Sequence, residues 1–159
     1  MARSRRPRRR RRVREAAAPG YPGGAEPPEL TGVVLDSDVI IEILRGHAGA
    51  LQAAVALDRS GVPSFCTAIS WAEVYAGVRP GEEAPTAAFF EARGEVLLDG
   101  RIGRRAGGYL ARYARSHGVA VADALIAAAA ATAGLRFWTL NRKHYPMEDL
   151  RFFEPPPVR

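Results

Sequence analysis

Three carboxylates stand at comparable places in this sequence. Asp36 follows an apolar triplet, Val33-Val34-Leu35. Glu73 lies inside Ser70-Trp71-Ala72-Glu73-Val74, and Asp123 precedes an alanine-rich run. None belongs to a run of charge, and each has apolar neighbours. A carboxylate in such surroundings is costly to desolvate unless a cation compensates it. Mg2+ or Mn2+ is the natural partner, because these ions prefer carboxylate and water oxygens. Cys66 is the only cysteine, and no His-Glu-x-x-His spacing occurs, so zinc is not indicated.

Each acid also has a purely structural account. Asp36 is placed to cap a following helix. Glu73 fits a capping box with Ser70, its side chain reaching back to the Ser70 backbone N–H. Asp123 suits the positive end of a helix dipole. For Glu73 alone the cap is the better account. For Asp36 and Asp123 the two accounts are even. Three separate caps by acids with apolar flanks make the less economical explanation of the set.

The elements that must position these acids can be read along the chain. The stretch VVLDSDVIIEILRG, residues 33–46, reads as a buried strand, an acidic turn, and a helix over 39–45 ended by Gly46. That is how a parallel sheet delivers side chains to its carboxyl edge, where ligands of open α/β sheets sit. A second helix is expected over 48–59 and a strand over 63–69. A helix opens at Ser70, and 81–85 is a polar loop. Helices follow over 86–96 and 101–117, an extended piece over 119–121, and an alanine-rich helix from Asp123 to Gly134. A strand is expected over 135–140 and a last one over 150–153. Alternating strands and helices predict a small α/β domain with a mostly parallel sheet and helices on both faces.

Composition sets the limits. The chain has 159 residues and a formal charge of +6, unevenly spread. Residues 1–28 hold nine arginines against two glutamates, whereas residues 29–159 carry a net −1. The high isoelectric point therefore describes a terminal extension, not a basic folded body. Residues 1–29 are expected to be disordered, being rich in Arg, Pro and Gly with little to bury. They read either as a polybasic arm on RNA phosphates or as a dispensable extension. The folded domain is expected over 30–159. The lone cysteine suits a reducing, cytoplasmic setting. The apolar run 124–135 is too short to span a bilayer, and no secretory signal is convincing, so no membrane association is expected. On helix 101–117, Arg101, Arg104, Arg105, Arg112 and Arg115 fall mostly opposite the apolar face. This reads as a solvated face first and a nucleic-acid contact second.

Taken in order, VVLDSDVIIEILRG at 33–46, TAISWAEVYAGVR at 67–79, VADALIAAAA at 121–130 and TLNRKHY at 139–145 resemble the PIN-domain ribonucleases. The resemblance is strongest to VapC-type toxins of bacterial toxin–antitoxin pairs and covers about residues 32–154. It implies a compact PIN-like α/β/α sandwich whose clustered acids bind Mg2+ or Mn2+ and hydrolyse RNA phosphodiesters. On that basis Asp36, Glu73 and Asp123 match the catalytic, metal-holding acids, with Ser37 where the family often has threonine. Asn141 stands where a fourth acid is frequent; it joins the implied metal ligands without supplying charge. The site charge is then −3, or −4 if Asp38 faces inward. Thr139 is expected to position a water or the scissile phosphate, and His144 to be structural or superficial. The resemblance further implies RNA as substrate, a homodimer, and a cognate antitoxin that blocks the acidic pocket.

Two other readings remain at this level. Asp36-Ser37-Asp38-Val39 also fits the opening of haloacid-dehalogenase-type phosphatases, in which the first Asp is the nucleophile. That class needs a lysine ahead of a late acidic pair, and Lys143, the only lysine, follows Asp123. A PIN-like domain with a weakened site, binding RNA or protein without cutting, is the second alternative; Asn141 and the basic extension favour keeping it.

Overall fold

The computed structural model describes residues 31–155. The expected disorder of residues 1–29 lies outside the described residues. The apolar triplet forms β1 (Val33–Leu35), buried along its whole length. Asp36 then turns the chain into α1 (Ser37–Leu44), two residues ahead of the expected start, with Asp36 as its N-cap. Gly46 ends the excursion at φ 73°, a left-handed conformation that glycine adopts without cost. The next helix, α2 (Ala48–Arg59), has the bounds expected from sequence.

The second strand is shorter than expected. β2 (Ser64–Cys66) stops because Thr67 caps α3 (Ala68–Tyr75), its hydroxyl accepting the Ser70 N–H. The helix expected over 86–96 is displaced. It runs as α4 (Glu83–Glu91), and the chain then enters a two-residue edge strand, β3 (Gly94–Glu95), which the sequence reading did not contain. Gly94 is required there: a Cβ would lie 2.5 Å from the Phe65 ring of β2.

Asp99 caps α5 (Gly100–His117) by accepting the Arg101 and Ile102 N–H groups, and Gly118 closes it in the left-handed region. Three residues later α6 (Val121–Ala133) begins, so the expected extended piece 119–121 contracts to the approach to its cap. β4 (Arg136–Trp138) follows, and a 3₁₀ turn, Arg142–His144. The expected last strand contracts to a single parallel bridge, Phe152 beside Phe137.

All strands pair in parallel, in the order β3-β2-β1-β4. The order reverses direction at β1, which lies between β2 and β4. The crevice outside the carboxyl ends of β1 and β4 is therefore the topological switch point. Side-chain alternation splits the core into two layers. Val34 and Phe137 pack with α5 and α6; Val33, Leu35 and Trp138 pack with α1, α2 and Phe90 of α4. Helices thus cover both faces of the sheet in an α/β/α sandwich. In α6, Ala127, Ala128, Ala129 and Ala130 are all buried, because the helix lies between the sheet and α5. Small side chains let both approach closely, at the cost of any amphipathic signal in the sequence. No single helix among the described residues is long and apolar enough to cross a membrane.

Candidate active site

A pocket of about 350 Å³ opens at the switch point. It is lined by Asp36, Ser37, Asp38, Ile41, Glu73, Asp123, Asn141, His144 and Tyr145. Every acid singled out in the sequence lines it, and so does Asn141. The acids come from three elements whose capping chemistry fixes them. Asp36 leaves β1 and caps α1, its Oδ1 accepting the Ser37 N–H at 2.8 Å. Asp123 sits in the first turn of α6, its Oδ2 accepting the Ala120 N–H at 2.9 Å. The structural and chemical accounts of these two acids therefore coexist.

Glu73 is different. The expected capping box with Ser70 does not form, because Thr67 starts the helix three residues earlier and Ser70 is inside it. The Glu73 carboxylate instead accepts the Ser37 hydroxyl at 2.5 Å, tying α3 to α1 beneath the pocket. Asp38 faces inward. Its carboxylate accepts the Leu140 N–H at 3.1 Å and the Thr139 hydroxyl at 3.3 Å. Thr139 is buried, and its oxygen also accepts the Asn141 N–H at 3.1 Å. Its hydroxyl is engaged in bracing Asp38 rather than exposed for a water or phosphate, which corrects the sequence expectation. His144 is exposed at the pocket rim.

Tyr145 has no counterpart in the sequence reading. Its ring is buried edge-on against Phe137, at 4.8 Å between centroids. Its hydroxyl donates to Asp36 Oδ2 at 2.7 Å and lies 3.4 Å from Asp123 Oδ1. One phenolic proton thus serves a pair of acids. No signal in the sequence marks a hydroxyl that finds its partner 109 positions away.

The electrostatics follow from burial. Desolvation, then the Asp38 charge, raises Asp36 from 3.8 to about 6, against the donors Tyr145, Thr139 and Ser37. Asp38 is also raised, by its own desolvation first. The Tyr145 phenol is pushed up by burial and by the Asp36 charge, so it stays a donor. No Lys or Arg lines the pocket, and none of the four acids is in an ion pair among the described residues.

Four carboxylates and one amide, held by neutral donors alone, suit a hard, oxygen-binding divalent cation. As placed, no three of the acids converge on one point among the described residues. The donor chemistry fits Mg2+ or Mn2+. Lys143 is exposed and does not line the pocket, so an aspartyl-phosphate at Asp36 would lack its cation, and the phosphatase reading fails on that ground.

The PIN domain family matches residues 33–149. "Ribonuclease VapC10" of Mycobacterium tuberculosis (strain CDC 1551 / Oshkosh) is 35% identical over 116 residues, covering 72% of this chain and 86% of that protein. Among solved structures, a toxin–antitoxin complex from Klebsiella pneumoniae has a TM-score of 0.64 at 20% identity, covering 80% of this chain and 100% of that one. FitAcB from Neisseria gonorrhoeae has a TM-score of 0.59 at 25% identity, covering 77% and 97%. Fold and sequence agree: the chain belongs to the PIN-domain family.

Proposed function

We propose that this protein is a divalent-cation-dependent endoribonuclease and the toxin of a toxin–antitoxin pair. The observation that carries this reading is that Asp36, Asp38, Glu73 and Asp123 line one pocket that no Lys or Arg lines. A relative 35% identical that is named a ribonuclease supports the activity. Solved relatives described as toxin–antitoxin complexes support a protein antitoxin as partner.

In this reading Asp36, Glu73 and Asp123, with Asn141, hold the cation. Bound there, Mg2+ or Mn2+ supplies an acidified water and offsets the charge that develops on the phosphate. Tyr145 and the Ser37 N–H keep both oxygens of Asp36 oriented. Asp38, braced by Thr139 and Leu140, supplies the fourth negative charge that Asn141 does not. Glu73 is exposed, and its Oε1 has no protein partner among the described residues. It is the acid best suited to accept the proton of the attacking water. Homodimerisation completes the proposal and rests on the resemblance to VapC-type toxins.

The test is cleavage of total RNA by the antitoxin-free full chain, with and without Mg2+ or Mn2+, beside a folded Asp36→Asn variant. Metal-dependent cutting that the variant lacks supports the nuclease. No cutting together with no metal binding by the folded protein would overturn it in favour of a binding module.

A further inference from the structure

The pocket poses a binding problem that it does not solve. Four acids line it without one Lys or Arg, so a polyanionic RNA is repelled by the walls it must approach. The affinity has to come from cations elsewhere on the body.

Five of the fourteen Lys and Arg residues of 29–159 lie on one helix. α5 carries Arg101, Arg104, Arg105, Arg112 and Arg115 and no acid at all. Without these five, residues 29–159 would carry −6 instead of −1. At 3.6 residues per turn the five guanidinium groups fall within an arc of roughly 100° along about 21 Å of helix. Arg101 pairs with Asp99, and Arg105 with Asp149. Arg104, Arg112 and Arg115 are exposed and have no carboxylate partner among the described residues. Asp99, Glu148 and Asp149 border this face, but they pair only Arg101 and Arg105. Gly107, Gly108 and Ala111 keep the surface beside the arginines low, and nothing lies within 4 Å of where a Cβ would stand on either glycine.

The stripe is also aligned with the pocket. Arg105 Nη1 donates to Thr132 Oγ1 at 3.2 Å, which sets the register of the antiparallel α5–α6 pair. Stepping back along both helices at equal rise brings Arg115 to about the level of Asp123. The row of cations therefore begins at about the level of Asp123 and runs away from it along the outer side of the α5–α6 pair. Building on the nuclease reading, we propose that the outer face of α5, through Arg104, Arg112 and Arg115, holds the phosphate backbone of the RNA substrate outside the acidic pocket.

The experiment uses the full chain and a labelled single-stranded RNA oligonucleotide in EDTA, so that binding is read without cleavage. A triple variant, Arg104→Ala/Arg112→Ala/Arg115→Ala, is compared with a charge-matched control, Arg45→Ala/Arg59→Ala/Arg79→Ala, whose arginines are exposed on other elements. The N-terminal arginines are present in every protein and cancel. For three lost phosphate contacts the slope of log K against log salt falls by about two, and binding at 0.15 M salt weakens about 50-fold. The control should change neither by more than its net-charge effect. Equal loss in the two variants overturns the proposal. So does displacement of the RNA by polyglutamate as effectively as by polyuridylate at equal ionic strength, which would make α5 a docking face for an acidic protein. Wild-type cleavage with Mn2+, run alongside, separates the two failures. If the wild type cuts RNA while both variants bind alike, only the α5 assignment falls. If the wild type neither binds nor cuts, the nuclease reading falls with it.

Discussion

The Tyr145 hydroxyl donates to Asp36 Oδ2 at 2.7 Å, joining the first strand's terminal acid to the segment after the last paired strand. Thr139 is the other side-chain donor to that carboxylate. Tyr145→Phe keeps the ring against Phe137 and removes one bond to a charged group, worth about 1.5–3 kcal/mol. Urea denaturation in EDTA at pH 7.5 should show that loss. At pH 5, where Asp36 is largely protonated, the loss should shrink. An equal loss at both pH values would mean that the hydroxyl does not serve the Asp36 charge.

The raised pKa of Asp36 makes a second prediction, with a definite sign. Its folded value, about 6, lies above its ordinary value of 3.8, because burial and then Asp38 disfavour the charged form. The folded state therefore holds the proton more tightly than the unfolded chain. The Asp36 contribution to stability is greatest below pH 4, falls as pH rises from about 4 to 6, and is level above that window. Two pKa units correspond to about 3 kcal/mol. Asp36→Asn retains an acceptor for Tyr145 and a good helix cap, and carries no charge to desolvate. In EDTA at pH 7.5 it should be more stable than the wild type by up to about 3 kcal/mol, with a flatter profile between pH 4 and 6. A less stable Asp36→Asn would mean that the carboxylate is there chiefly to cap α1.

Much of this arrangement was legible because burial and local patterning agreed. β1, α2 and α5 emerge with the bounds read from sequence, or within a residue of them. Each has an apolar run or stripe bounded by an acid or a glycine. The three acids were legible for the same reason: a charge among apolar residues stands out. What failed had no local signal. β3 is two exposed residues, Gly94 and Glu95, defined only by pairing with Phe65 and Cys66. Ser70 and Glu73 have the spacing of a capping box, but Thr67 has the extended backbone and the hydroxyl that start the helix. The roles of Tyr145 and Thr139 are set by partners more than 100 positions away. No window of sequence contains them.

Metal addition should offset the cost that burial imposes on these acids. A ligand that binds only the folded state at one hundred times its Kd stabilises it by about 2.7 kcal/mol. Mn2+ should therefore raise the melting temperature of the EDTA-treated wild type at pH 7.5. The rise should be lost in Asp36→Asn and in Asp123→Asn. A rise that persists in both variants would place the bound ion elsewhere than the pocket.

Ser37 separates the position of Glu73 from its charge. Its hydroxyl donates to Glu73 Oε2 at 2.5 Å and is the bond that ties α3 to α1 at the pocket floor. Ser37→Ala leaves the carboxylate in place with one oxygen released and its side chain free to sample other rotamers. Ser37→Thr restores a hydroxyl at the same atom. If Glu73 moves the proton of the attacking water, its removal in Glu73→Gln should slow single-turnover cleavage by about 10²- to 10⁴-fold. Ser37→Ala should lose only part of this, and Ser37→Thr should recover it. Loss of rate in Ser37→Ala without recovery in Ser37→Thr would leave the Ser37–Glu73 bond a strut between two helices and assign the proton to another acid.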